Sequence, residues 1–150
     1  DKLALCGGDL IVEALALLEE GKASKTKQKD EDASYVKMID KSLGEIDFTL
    51  PAIQIERLIR GLNPWPSAYT LLKGKNLKIW ESEVIEKDNP NTGEEVLPGT
   101  IIQITNDSII VKTGQGNLKI KQLQLEGKKR MDVGSFLRGN NVEVGTILGE

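Results

Sequence analysis

The stretch Gly61-Leu62-Asn63-Pro64-Trp65-Pro66-Ser67-Ala68-Tyr69 ends a helical pattern and opens a run of strand patterns. Pro64 and Pro66 each lack an amide hydrogen, fix their own φ, and push the preceding residue out of the α region. Asn63 and Trp65 are therefore expected to be extended, and the backbone to form a stiff corner. A tryptophan held between two prolines suits the role of a low-entropy anchor, with its ring buried and its indole N–H bonded to a nearby carbonyl. Everything before the corner reads helical or linker-like, and everything after it reads β.

On the helical side, Leu10, Ile11, Ala14, Leu15, Leu17 and Leu18 fall at three- and four-residue intervals, which predicts a helix over 3–20 with a broad apolar stripe. Asp9, after Gly7-Gly8, is placed to cap it or to sit in its first turn, and Gly21 suits the left-handed position that ends it. Residues 22–32 hold no large apolar side chain, only four lysines among small polar residues and then Asp30, Glu31 and Asp32. Such a segment buries too little surface to offset its ordering entropy and reads as a linker. A short extended segment at 35–39 and a turn at Gly44 lead to a second helix, for which Thr49 is the expected cap and Pro51 sits in the first turn. Ala52, Ile55, Ile59 and Leu62, with Leu58, line its apolar face.

Beyond the corner the hydrophobic period changes to two. Strands are predicted at 68–72, 77–85, 98–104, 109–112 and 118–125, with Leu77, Ile79 and Glu81 on one face of the second and Trp80 on the other. A polar loop covers 86–96, Asp132 caps a short helix to Leu137, and 142–148 offers a last strand. The expected fold is mainly β with N-terminal helices: a partly open, OB-like five-stranded barrel, with a β-sandwich as the alternative.

The formal net charge of the 150 residues is −3, which argues against a wholesale basic nucleic-acid binder. From Lys112 to Arg138, however, seven basic residues face two acidic ones, a net +5. A local basic face on an acidic chain is what a selective polyanion contact needs, although a solvated β surface has the same composition. The single cysteine, Cys6, rules out an internal disulfide and fits a reducing, cytoplasmic setting. No apolar run reaches membrane-spanning length. There is no histidine, so acyl transfer to an amine would lack its usual base, and no Cys/His cluster offers a metal site. Gly114-Gln115-Gly116 lacks the following helix and the Lys-Ser/Thr of a phosphate loop, and reads as a hairpin turn. Trp65 and Trp80 are suited to stack on bases, yet their apolar neighbours favour packing.

The basic candidates are Lys119 and Lys121 on one strand face with Lys112 nearby, the run Lys128, Lys129 and Arg130 in the following loop, and Lys73, Lys75 and Lys78 on the first hairpin. Lysines suit phosphates, which add affinity and register without reading sequence, the manner in which folded RNA is gripped by shape.

Asn63-Pro64-Trp65-Pro66, followed by Ser67-Ala68-Tyr69-Thr70 and Leu77-Lys78-Ile79-Trp80, resembles the start of the C-terminal domain of the methionyl-tRNA formyltransferase family. Pro98-Gly99-Thr100-Ile101, the run Leu123 to Met131, and Phe136-Leu137-Arg138-Gly139 resemble that family's later signatures. Where the pattern commonly has Trp after Ile-Asp, this chain has Phe48.

The resemblance implies that residues 1–21 are the last helix of a catalytic domain, 22–48 an interdomain linker and 49–150 the C-terminal domain, with an entry helix at 49–62 and the barrel at 67–150. Asn63, Pro64, Trp65, Pro66 and Trp80 would form the structural joint. Initiator methionyl-tRNA and the catalytic domain are the implied partners, formyl-tetrahydrofolate the donor for the parent enzyme, and neither cofactor nor catalytic residue falls to this segment, which would be inactive alone. Helix 3–20 would expose its apolar face, for which a second copy of the chain is one candidate cover. The rival readings are the C-terminal domain of a sugar-nucleotide formyltransferase and a stand-alone OB-type RNA-binding module.

Overall fold

A computed structural model describes residues 2–85 and 96–150, so the polar loop expected at 86–96 lies, but for Val96, outside the described residues. The chain divides into two compact units, Asp1–Lys37 and Met38–Glu150.

In the first unit, helix α1 (Lys2–Glu19) ends as expected at Gly21, whose φ is 68°. The Lys22 N–H donates to the Leu17 carbonyl and the Gly21 N–H to that of Leu18, the paired bonds of a Schellman ending. The helix starts before Gly7-Gly8, so Asp9 lies inside it and caps nothing. Leu3, Ala4 and Leu5 are good helix formers that offset the cost of the two glycines, about 1 kcal/mol each. No α1 side chain is buried, and Leu3, Val12 and Leu15 are among its exposed apolar groups. The expected linker at 22–48 holds two 3-10 turns, Asp30–Asp32 in this unit and Lys41–Gly44 in the next.

The second unit is built on an antiparallel sheet of β1 (Ala68–Leu72), β2 (Lys75–Ile85), β3 (Ile101–Ile104), β4 (Ile109–Lys112) and β5 (Asn117–Leu125), in the order β1-β2-β5-β4-β3. A two-residue β6 (Met131–Asp132), absent from the sequence expectation, pairs with β5 through Leu123 and Met131. Residues 142–148 do not form the expected strand. Their region contributes one bridge, Thr100 to Ile147, and two sets of backbone bonds. On one side the Ile101 N–H donates to the Thr146 carbonyl and the Leu148 N–H to that of Gly99. On the other side the Gly149 N–H donates to the Leu71 carbonyl and the Gly74 N–H to that of Glu150. The C-terminal segment thus joins the β3 and β1 edges, which covers both against stray pairing.

Ile79 of β2 pairs with Leu123 of β5, and Ser82 pairs with Ile120, so both strands advance three residues between these pairs. Because faces alternate with period two, both strands change sides together. Leu77, Ile79, Leu118, Ile120, Leu123 and Leu125 are consequently all buried, whereas Glu81 is exposed and does not share the face of Leu77 and Ile79.

Helix α2 (Ala52–Gly61) packs on β2 and β5 through Ile55 and Ile59, with Ala52 and Leu62 also buried and Leu58 half-buried. Thr49 does not cap it. Asp47 instead accepts from the Thr49 N–H (2.9 Å) and hydroxyl (2.6 Å), forming a turn that ends two residues before the helix. The preceding arm is pinned at both ends. The Ile46 N–H donates to the Tyr69 carbonyl of β1, and the Gly114 N–H, in the β4–β5 turn, to that of Phe48. Glycine is required at these crossings, since a Cβ at Gly44 would stand 2.2 Å from the Ser67 carbonyl oxygen and one at Gly114 1.8 Å from that of Thr49. Ile46 and Phe48 on this arm enter the core.

Helix α3 (Val133–Gly139) buries Val133 and Phe136 and begins, as the sequence predicts, on Asp132, which accepts from the Ser135 N–H at 2.7 Å and its hydroxyl at 2.8 Å. These bonds hold the Asp132 carboxyl below its ordinary value of 3.8. The stabilisation they give is therefore full above that value and is lost as the pH falls through the lower folded value. Asp132→Ala is expected to lower the melting temperature at neutral pH, and the gap from wild type to close on acidification below 3.8. Thermal melts of both proteins across that pH range check this.

Candidate nucleic-acid interface

The side change in β2 and β5 puts Trp80, Glu81, Lys121 and Gln122 consecutively on the outer face, which is the origin of the cluster around Trp80. The ring of half-buried Trp80 lies under two cations, with Arg130 at 5.0 Å and Lys78 at 5.9 Å from its centroid. Both distances fall in the range of cation–π attraction. The Trp80 indole N–H donates to Gln124 Oε1 at 3.2 Å, and Gln124 Nε2 donates to the Lys128 carbonyl at 2.9 Å. Arg130 Nε donates to Gln122 Oε1 at 2.8 Å. One glutamine amide thus ties the tryptophan to the turn carrying Lys128 and Lys129, and the other fixes Arg130.

The same end of the β2–β5 ribbon carries the first hairpin. Beyond the Leu77–Leu125 pair, the Asn76 N–H donates to Glu126 Oε2 (3.1 Å) and the Glu126 N–H to the Asn76 carbonyl (2.8 Å), so the ladder continues into both turns. Lys75 lies in the next position, and Lys73, at the hairpin turn, donates to the Asn141 carbonyl at 3.2 Å. Lys73, Lys75, Lys128, Lys129 and Arg130 are exposed, and Lys78 is half-buried against Trp80.

The other three basic candidates have a different setting. Lys121 is ion-paired with Glu83 across the β2–β5 pair, and that hydrogen bond, with the charges of Glu83, Glu81 and Asp107, raises its pKa above the ordinary lysine value. Lys119, opposite Glu83 on β2 and Ile110 on β4, helps to hold the Asp107 carboxyl down, an effect led by the Thr105 hydroxyl and supported by that of Ser108. Lys112 stands opposite Asn117 at the far end of β4. The nine candidates therefore fall into six at the start of β2 and the end of β5 and three elsewhere on β4 and β5: Lys121, which faces Glu83, Glu81 and Asp107, Lys119, which faces Asp107, and Lys112 at the far end of β4.

The Asn63-Pro64-Trp65-Pro66 corner is formed, with both X–Pro bonds cis, but Trp65 is not its buried anchor. The Ser67 N–H donates to the Leu62 carbonyl at 3.0 Å and closes a loop whose buried ends are Leu62 and Ala68. Trp65, near the tip, is 60% exposed. Asn63 reaches back to donate to the Trp80 carbonyl at 3.3 Å, linking the corner to β2. Sequence reasoning missed Gln122 and Gln124. The signal was present in Lys121-Gln122-Leu123-Gln124-Leu125, where amides alternate with core leucines.

Among the described residues, no group of His, Cys, Asp and Glu side chains is arranged to hold a metal ion. Nor is any helix among them long and apolar enough to cross a membrane.

Residues 38–141 match the family model described as formyl transferase, C-terminal domain. The methionyl-tRNA formyltransferase of Lachnospira eligens is 49% identical over 150 residues, covering 100% of this chain and 48% of that protein. Its counterpart in Agathobacter rectalis is 50% identical over 147 residues, covering 98% of this chain and 46% of that protein. The chain spans about half the length of the curated relatives it matches. Among solved structures, HypX from Aquifex aeolicus in complex with tetrahydrofolic acid superposes with a TM-score of 0.60 over 92% of this chain and 26% of that chain. At 18% identity this likeness is one of fold.

Gln124→Leu removes the acceptor of the Trp80 indole and the donor to the Lys128 carbonyl while keeping the side-chain size. It is expected to cost about 1–2 kcal/mol, read as a lower urea midpoint with an unchanged slope.

Proposed function

This chain belongs to the formyl transferase C-terminal domain family, and from that premise we propose that it is the tRNA-holding part of a methionyl-tRNA formyltransferase about twice its length. In that protein, a formyl group would pass from formyl-tetrahydrofolate to the amino group of methionine on initiator tRNA, a cytoplasmic step of translation initiation. Residues 1–21 would be the last helix of the catalytic part, its apolar face covered by that part. Residues 22–48 would be the connection, including the arm docked on the sheet, and 49–150 the C-terminal domain. Donor binding and bond-making belong, in this reading, to the catalytic part, and no residue here is assigned to them.

The observation that supports an RNA-holding role is the convergence of Lys73, Lys75, Lys78, Lys128, Lys129 and Arg130 at one end of the β2–β5 ribbon, with their turns tied together through Asn76 and Glu126. Cations on rigid elements suit a phosphate backbone, because backbone register is set before binding, and Lys73, Lys78 and Arg130 are further restrained by their own contacts. The grip would be one of shape and charge, leaving sequence reading to other residues. Lys119 and Lys121 would contribute less, since the field of Lys121 is offset by Glu81, Glu83 and Asp107 and that of Lys119 by Asp107, and Lys112 stands apart at the far end of β4.

Replacing Lys128, Lys129 and Arg130 together by Ala should weaken initiator tRNA binding and flatten its salt dependence. The slope of log K against log salt should fall by about 0.7–0.9 for each phosphate that is no longer neutralised. An unchanged slope in a salt titration would remove these three residues from the interface.

A further inference from the structure

A cleft of about 730 Å3 opens between the Trp65-Pro66 corner and residues of β1, β2 and the β5 turn. Its aromatic surface is the exposed Trp65 with the half-buried Tyr69, its polar groups include Asn76 and Gln124, and Lys41 and Lys78 stand beside them. The two tryptophans of the chain differ in availability. Trp80 already lies beneath Arg130 and Lys78, whereas Trp65 is 60% exposed and makes no such contact among the described residues.

The polar groups differ in the same way. Gln124 is committed at both ends of its amide, to Trp80 and to the Lys128 carbonyl. The Asn76 side-chain amide, the Tyr69 hydroxyl and the Lys41 ammonium have no hydrogen-bond or ion-pair partner among the described residues. The Asn76 backbone is fully used by Glu126, which fixes the amide at the cleft wall and occupies one Glu126 oxygen. A planar aromatic surface, an uncommitted amide with a donor and an acceptor, and two cations match the three parts of a nucleotide. An apolar protein side chain would use the ring and leave Asn76 and the lysines unanswered.

We propose that this cleft receives one unstacked nucleotide of an RNA strand, with its base on Trp65, the base edge toward Asn76, and the phosphate between Lys41 and Lys78. The assignment rests on the RNA-holding role above and adds to it a site that a fully paired helix cannot fill, because a base inside a duplex has no free face. Single-stranded and paired RNA are thereby distinguished at the corner, while the Lys128-Lys129-Arg130 turn holds the backbone of either.

The test measures fluorescence anisotropy of the full chain with a labelled single-stranded oligoadenylate and with an RNA duplex of the same length. Trp65→Ala should weaken the single strand about tenfold, in keeping with the loss of one base stack, and leave the duplex unchanged. Trp65→Phe, which keeps a stacking ring, should bind both nearly as wild type. The triple alanine variant of Lys128, Lys129 and Arg130 should weaken both RNAs. If Trp65→Ala leaves single-strand affinity intact while the triple variant weakens both, the nucleotide cleft is wrong and the RNA-holding role stands. If neither variant changes any affinity, both are wrong. Lower thermal stability of Trp65→Ala with intact RNA affinity would assign the ring to packing within the protein and overturn the proposal.

Discussion

The pairing of β2 with β5, and the point near its middle where both strands change faces together, is the constraint on which the second unit depends. From Leu77–Leu125 to Ile79–Leu123 the buried residues alternate in the ordinary way, and the alternation resumes on the opposite parity at Ser82–Ile120. A slip in one strand alone would have turned half of its apolar residues to solvent. Because the slip is shared, Leu118, Ile120, Leu123 and Leu125 all stay in the core beside Leu77 and Ile79. Two consecutive side chains from each strand are displaced outward at the same place. The core and the outer cluster therefore have a single structural origin.

That origin explains why Trp80 can be both packed and polar. Its body is half-buried on the ribbon, its N–H is satisfied by Gln124, and its ring is covered by Arg130 and Lys78. The cations are thereby held on a rigid strand pair. At the other side of the unit, the arm from Gly44 to Ala52 and the segment from Gly145 to Glu150 bind the sheet edges and close its flanks. Edge coverage leaves the outer face of β2 and β5 open, with its basic residues gathered at the Lys73–Lys75 and Lys128–Arg130 turns and its acids Glu81 and Glu83 beside Lys121. This arrangement concentrates positive charge on a chain whose overall charge is −3.

The architecture is largely legible in the sequence because it is written in period and punctuation. The 3.6-residue spacing of Ile55 and Ile59, the Asp132 cap and the hairpin glycine Gly116 each act locally, and each appears in the structure. What cannot be read depends on long-range pairing. The burial of Ile79 and exposure of Glu81 follow from a register shift that only the partner strand defines. Residues 142–148 carry strand-like composition, yet edge bonding to Gly99 and Ile101 makes them a strap with a single bridge. Trp65 reads as an anchor because aromatic rings flanked by prolines are stiff. The Ser67-to-Leu62 bond that lifts it to the loop tip spans the corner and leaves no trace in the pattern. The basic residues are recognisable as a class, but the acid partners Glu83 and Asp107 that divide them lie far away in the chain.

The central claim, that RNA is held at the Lys73–Lys75 and Lys128–Arg130 end of the β2–β5 ribbon, is tested most directly by amide hydrogen exchange of the chain with and without initiator tRNA. Slower exchange at residues 73–78 and 124–131, with little change at 109–112 and 117–121, is the expected result. Protection confined to the Lys112, Lys119 and Lys121 end, or absent from both, would contradict it.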